Sequence, residues 1–220
     1  MTSTAGARGL PRPALILVTD SAHLRGRSIE DVVREAVLGG VDVVQLREKE
    51  RDHAGLVGFG ARVRDAIAGR ALFIVNGDVD VAFVLRADGV HLPEDSTAPI
   101  AAARARLGED ALISRAVHSV DAATQAERDG VDVVQIGTVF DSRSHPNGAT
   151  IGVEGVRAAC DAVRVPVIAI GGITAANAGD VVRAGAAGVA VIGAILDADD
   201  PRRAASELRR TIDGVFATGA

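Results

Sequence analysis

The sequence predicts a single α/β domain of the (β/α)8, or TIM barrel, class, and three observations carry that expectation. Short Val/Ile-rich runs alternate with longer amphipathic segments, the pattern of parallel strands joined by crossover helices. The alternation has eight beats in 220 residues, a length at which such barrels close. The third observation is an internal echo. Gly40-Val-Asp-Val-Val-Gln-Leu46 returns four units later as Gly130-Val-Asp-Val-Val-Gln-Ile136, and Ala87-Asp-Gly-Val-His-Leu92 returns less closely as Ala186-Ala-Gly-Val-Ala-Val-Ile192. An open doubly wound sheet has no reason to repeat at four units.

Taken in order, strands are expected at residues 14–19, 41–47, 72–75, 89–92, 112–116, 131–136, 167–170 and 188–192. Helices are expected at 29–38, 53–67, 79–85, 99–107, 122–129, 153–163, 175–184 and 201–213. Residues 1–13 are rich in Gly, Pro, Ser and Thr without an apolar h-region, and read as a frayed tail and not a signal peptide. The barrel is expected over 14–216, with 217–220 as a C-terminal tail. No apolar run reaches membrane-spanning length, so the expectation is a cytoplasmic protein with no membrane partner.

Composition narrows the function classes. Apolar residues make up 48% and aromatics 2%, with no Trp or Tyr, so the core must come from Val, Ile, Leu and Ala. Few aromatics and a net charge of −5 argue against base stacking and a phosphate-backbone footprint, hence against a nucleic-acid partner. The single cysteine, Cys160, excludes an internal disulfide and any multi-cysteine metal site; within a helix it reads as a buried structural thiol. Among 24 basic residues Lys49 is the only lysine, which suggests a place where a compact charge is needed and a planar fork is not.

In this fold the active site lies at the C-terminal strand ends. Strand seven ends Ile170-Gly-Gly-Ile-Thr174 and strand eight ends Val191-Ile-Gly-Ala194. Glycines there let backbone N–H groups approach an anion, the common barrel phosphate site. Strand two ends Gln45-Leu-Arg-Glu-Lys49; alternation turns Gln45, Arg47 and Lys49 to one side and Glu48 to the other, and two cations with an amide suit a diphosphate. Asn76 after strand three and Asp95 after strand four offer oxygen ligands for Mg²⁺. His91, within strand four, is as well explained by packing as by catalysis. His118, at the end of strand five before a cap at Ser119, is an acid–base candidate. The polar loop from Asp141 to Gly148 is a candidate lid, while His23 and His53 read as solvated.

Leu17-Val-Thr-Asp20, Val44-Gln-Leu-Arg-Glu-Lys49, Ala87-Asp-Gly-Val-His-Leu92, Gly137-Thr-Val-Phe140 and Ala169-Ile-Gly-Gly-Ile-Thr174 together resemble the thiamine phosphate synthase family, which includes the thiazole tautomerases. For a synthase the resemblance implies that hydroxymethylpyrimidine diphosphate loses pyrophosphate and a thiazole phosphate nitrogen captures the cation. It implies that Gln45, Arg47, Lys49 and Asn76 hold the diphosphate, that Asp95 binds Mg²⁺, and that Ser142 and Ser144 stand for a hydroxyl pair. Gly171, Gly172, Ile192 and Gly193 would cradle the thiazole phosphate. Lys49, Arg47 and His118 are the catalytic candidates, the partners are small phosphorylated molecules, and no oligomeric state is implied.

Three departures bear on the reaction. The family's Asn-Asp pair is Asn76-Gly77, its lysine after the hydroxyl pair is His145, and a serine two residues before His118 is Ala116. Asn-Gly, His-Leu-Pro and Arg-x-Val-His-Ser resemble the tautomerase branch, where the residue at His118 shuttles a proton and no metal is needed. The retained cations favour a synthase. A tautomerase, or a weakly active paralogue that only binds thiazole phosphate, stands as the alternative.

Overall fold

The computed structural model describes residues 9–141 and 149–218. Its strands are β1 (Ala14–Val18), β2 (Val43–Leu46), β3 (Leu72–Asn76), β4 (Gly89–Leu92), β5 (Leu112–Val117), β6 (Val133–Ile136), β7 (Val167–Ile170) and β8 (Gly188–Val191). They pair in parallel and in chain order around a closed ring, which β8 completes against β1 from Ala14↔Gly188 to Leu17↔Val191. The helices are α1 (Ile29–Leu38), α2 (His53–Ile67), α3 (Val79–Val84), α4 (Ile100–Leu107), α5 (Val120–Arg128), α6 (Gly152–Ala162), α7 (Ala178–Arg183), the single turn α8 (Gly193–Leu196) and α9 (Pro201–Thr218).

Most boundaries fall near the expected ones, and the differences have local causes. α5 starts at Val120 and not at 122, because Ser119 caps it through a 3.1 Å bond from Ala122 N. α7 starts at Ala178 and not at 175. Asn177 holds the intervening residues in a turn, accepting from Thr174 N and donating to Gly172 O. α8 was not foreseen as a helix. Leu10, expected in a frayed tail, is buried with Ala14, Ile16 and Ile168 inside the barrel, so the packed chain already includes it.

β2 and β6 begin two residues later than expected, and the residues displaced from them explain the echo. Asp42, Asp88 and Asp132 each precede an even-numbered strand. Their carboxylates accept the backbone N–H of Leu15, Phe73 and Ile113 at 2.8, 2.7 and 2.8 Å. Each aspartate also donates its own N–H to the carbonyl of that same residue, so odd and even strands are clasped twice. Ala187 holds the corresponding position before β8 and contributes backbone bonds only. Arg104 reaches Asp132 at 2.8 Å and Arg209 reaches Asp42 at 2.7 Å. Asp132→Ala would leave the N–H of fully buried Ile113 unsatisfied and strip the mostly buried Arg104 guanidinium of its counter-charge and one of its acceptors, so a loss of about 2–3 kcal/mol is expected. Chemical denaturation checks it; an unchanged midpoint would remove the clasp from the account of stability.

Side-chain alternation then separates two cores. Leu15, Leu17, Val44, Leu46, Val90 and Ile136 face the helices. Ile16, Val43, Ile74, Leu112, Val133 and Ile168 fill the barrel. One layer nearer the C-terminal ends, the interior becomes polar, with Gln45, His91, Ser114 and Gln135 all buried. That change of character makes a floor for the site.

Candidate active site

Above this floor lies a cavity of about 920 Å³, enclosed by the loops that follow the strands. Gln45, Asn76, His91 and Gln135 line its base, and Arg47, Lys49, Asp95, His118, Gly171, Gly172, Ile192 and Gly193 line its walls. Nearly all the residues singled out in the sequence therefore meet in one space. Ser142, Ser144 and His145 lie outside the described residues, as does most of the Asp141–Gly148 loop.

At the end of β2, Gln45 is almost fully buried and donates from Nε2 to Asn76 Oδ1 at 3.2 Å, leaving Oε1 without a partner. Arg47 is set by its backbone, whose N–H donates to buried Thr19 Oγ1 at 2.9 Å. Its Nη1 is buried, has no hydrogen-bond partner, and lies 3.6 Å from Asp20 Oδ2. Lys49 is exposed on the rim. Glu48 corrects the expectation from alternation, because β2 ends at Leu46 and the rule ends with it. Its carboxylate turns toward the cavity wall, nearly buried, and accepts from Ser21 N and Oγ at 3.1 and 2.5 Å, fixing the β1 loop.

Across the mouth, Gly171 and Gly172 have φ of +104° and +64°, backbone conformations costly for L side chains. Close approach is a second requirement. A Cβ at Gly172 would stand 2.4 Å from Asp141 O and 2.8 Å from Phe140 O, and one at Gly171 would stand 2.9 Å from Thr138 Cα. The turn is pinned where Val139 N donates to Ile170 O and Phe140 N to Gly171 O, both at 3.0 Å. Among the described residues, the N–H groups of Gly172, Gly193 and Ala194 have no protein acceptor. Three such donors converging on a cavity suit a tetrahedral anion.

Sequence reasoning missed Gln135, Glu94 and the pairing of His23. The echo pointed to Gln135, which is the half-barrel counterpart of Gln45. Glu94 accepts from His118 N at 3.2 Å and meets its Nδ1 at 2.5 Å, a contact between two loops that no spacing reveals. His23 is not solvated: its Nδ1 lies 3.0 Å from both Asp197 oxygens. His53, more exposed, pairs with Asp78.

His91 Nδ1 meets Ser114 Oγ at 2.8 Å. Burial, helped by the nearby Arg47 charge, pushes its pKa down to about 3. A histidine ordinarily titrating near 6.5 therefore stays neutral in the folded chain while the unfolded chain takes up a proton. It leaves stability unchanged above pH ~6.5 and lowers it progressively as pH falls toward 3. The expected loss is about 1.4 kcal/mol per unit, or about 2 kcal/mol at pH 5. Denaturation at stepped pH should show this slope, and His91→Gln should flatten it; an equal slope in both would assign the acid limb elsewhere.

The thiamine monophosphate synthase family model matches residues 15–195. This chain belongs to that family. The thiamine-phosphate synthase of Natronomonas pharaonis is 42% identical over 203 residues, covering 90% of this chain and 94% of the relative. That of Chloroflexus aurantiacus is 43% identical over 201 residues, covering 90% and 92%. The solved thiamine phosphate pyrophosphorylase of Pyrococcus furiosus superposes with a TM-score of 0.82 at 34% identity, covering 92% and 96%.

Membership in the thiamine monophosphate synthase family raises the question of Mg²⁺, and the donors present suit an ion shared with substrate phosphates and not an all-protein cage. Among the described residues no three His, Cys, Asp or Glu side chains are grouped as ligands. Asn76 Oδ1 accepts from Gln45, and Asp78 is occupied by Val81 N at 2.8 Å and by His53 at 3.0 Å. Asp95 is an exposed carboxylate on the cavity wall, and Mg²⁺ is commonly held by one or two carboxylates together with substrate phosphates. No helix among the described residues is long and apolar enough to cross a membrane.

Proposed function

We propose that this chain is a thiamine-phosphate synthase, a transferase that joins hydroxymethylpyrimidine diphosphate to thiazole phosphate and releases pyrophosphate. The observation that carries the proposal is one cavity with a cationic end at Arg47 and Lys49 and a Gly172–Gly193–Ala194 amide end facing it. Two phosphorylated substrates can be held there with their reacting ends between them. Synthases of this name that are about 40% identical over most of the chain support it.

The reaction breaks the C–O bond to diphosphate, whose oxygen keeps the electron pair. The thiazole ring nitrogen supplies the pair for the new C–N bond, and no proton has to be removed. Catalysis then consists of stabilising the leaving charge and aligning the partners. Arg47 and Lys49 take the diphosphate. Gln45, with Oε1 free, accepts from an N–H donor, which fits the exocyclic amine of an aminopyrimidine better than a diphosphate oxygen. Neutral His91 and Gln135 form the floor beneath the rings, and the Gly172 and Gly193 amides take the thiazole phosphate. His118 with Glu94 has no step in this reaction. That dyad, with the Asn76-Gly77 and Arg-x-Val-His-Ser motifs, favours a thiazole tautomerase, an isomerase that needs a proton shuttle.

Pyrophosphate release from both substrates, with and without Mg²⁺, tests the proposal. No release at high enzyme concentration overturns it, and thiazole isomerisation abolished by His118→Asn would then place the chain with the tautomerases. Thiazole phosphate affinity with neither activity would mark a binding paralogue. Gly77 has a φ of +81° and open space to 3.9 Å around its Cβ direction, so Gly77→Asp adds a carboxylate for roughly 1 kcal/mol of strain. Calorimetry is expected to find tighter Mg²⁺ binding in that variant than in wild type; equal affinities would mean that position 77 does not limit the metal.

A further inference from the structure

The β1 loop meets α8 at the amide end of the cavity, and a His23–Asp197 pair sits there that the synthase chemistry leaves without a role. Asp197 is the C-cap of α8, and its carboxylate folds back along the single helical turn. A Cβ added at Gly193 would stand 2.6 Å from Asp197 Oδ2 and 3.5 Å from His23 Nδ1. His23 is mostly buried, with 16% of its side chain exposed, and both residues line the cavity. They also line a smaller rim pocket of about 620 Å³ beside Arg25.

The loop carrying His23 is held in place from several sides. Asp20 accepts from Ala22 N at 3.1 Å, and Glu48 holds Ser21. Arg27 donates to Ala198 O at 2.6 Å and to Leu196 O, while Arg25 donates to Asp197 O at 3.0 Å. The imidazole therefore has a fixed place beside Asp197 at the Gly193 end of the cavity.

A carboxylate this close to an anion cradle opposes the anion it should help to bind, because like charges a few ångströms apart repel strongly away from bulk water. A cation beside the carboxylate offsets that repulsion. We propose that His23 is a phosphate-recognition residue, donating from Nδ1 to Asp197 and from Nε2 to the phosphate held by the Gly172 and Gly193 amides. Flanked by two anions, the ring donates from both nitrogens, as only the imidazolium can. Asp197 is then a positioning residue, acting through His23. The inference rests on the reading of Gly171, Gly172 and Gly193 as the thiazole phosphate cradle.

Calorimetric titration with thiazole phosphate and with inorganic phosphate separates the two ideas. His23→Ala is expected to weaken thiazole phosphate binding roughly 10- to 100-fold, as for loss of a charge-assisted hydrogen bond. The KM for the pyrimidine diphosphate and the kcat at saturating thiazole phosphate should stay near wild type. His23→Asn, which can still bond Asp197 but carries no charge, should bind as poorly as the alanine variant. The double variant His23→Ala/Asp197→Asn should regain part of the affinity, because the repelling charge is gone. Unchanged affinity in His23→Ala, or a double variant no better than the single, would overturn the inference. Wild-type protein that binds neither probe would overturn the cradle reading, and this inference with it.

Discussion

Arg47→Ala is expected to reduce pyrophosphate release about 10²- to 10³-fold, the magnitude associated with removing one preorganised donor from a developing oxyanion. The guanidinium is poised for that role by what surrounds it. Its backbone is tied to Thr19, its Nη1 is buried without a hydrogen-bond partner, and Asp20 at 3.6 Å holds its charge in place without consuming a donor. Most of the loss should appear in kcat, since the charge on the leaving group grows along the reaction. Arg47→Lys should recover only a fraction, because a point charge does not reproduce the bidentate fork. Single-turnover measurement of pyrophosphate release is the check. A variant within threefold of wild type would show that the diphosphate is held elsewhere, and the synthase proposal would lose its cationic arm.

Gly172→Ala is expected to have the second largest effect, on folding and phosphate binding together. The new methyl meets two backbone oxygens, Asp141 O at 2.4 Å and Phe140 O at 2.8 Å, and neither can swing aside as a side chain could. A φ of +64° adds the ordinary penalty for an L side chain. Together these should cost upwards of about 2 kcal/mol, and relief requires the turn to separate from the Thr138–Asp141 segment. That movement displaces the Gly172 N–H from the cradle, so thiazole phosphate affinity should fall by roughly 10-fold or more. Thermal melting and calorimetry check the two parts. Full affinity in a destabilised variant would confine Gly172 to a structural turn.

Some features were legible because they are local. Strand and helix periodicity, the Gly-Gly turn and the ends of the strands follow from alternation and from steric limits on the backbone. Others misled for equally local reasons. Alternation was carried past Leu46 to Glu48, beyond the last β2 residue, and there the loop follows its own hydrogen bonds to Ser21. The repeated Gly-x-Asp reads in the sequence as an echo, yet its function as a clasp on the preceding strand needs the three-dimensional pairing of Asp42 with Leu15 and of Asp132 with Ile113. Leu10 looked like tail because composition says nothing of the hole at the bottom of a barrel that it fills.

By itself, the sequence determined the eight-unit barrel, the rim at which chemistry occurs, and the family, since each depends on short motifs repeated at regular intervals. Tertiary structure alone decided which side chains pair: Glu94 with His118, His23 with Asp197, Arg47 with Asp20. It also decided that His91 stays neutral and that, among the described residues, no three His, Cys, Asp or Glu side chains are grouped as metal ligands. The reason is physical. Backbone propensity acts over a few neighbouring residues, whereas electrostatics and solvation act through space, between loops up to 174 positions apart in the chain.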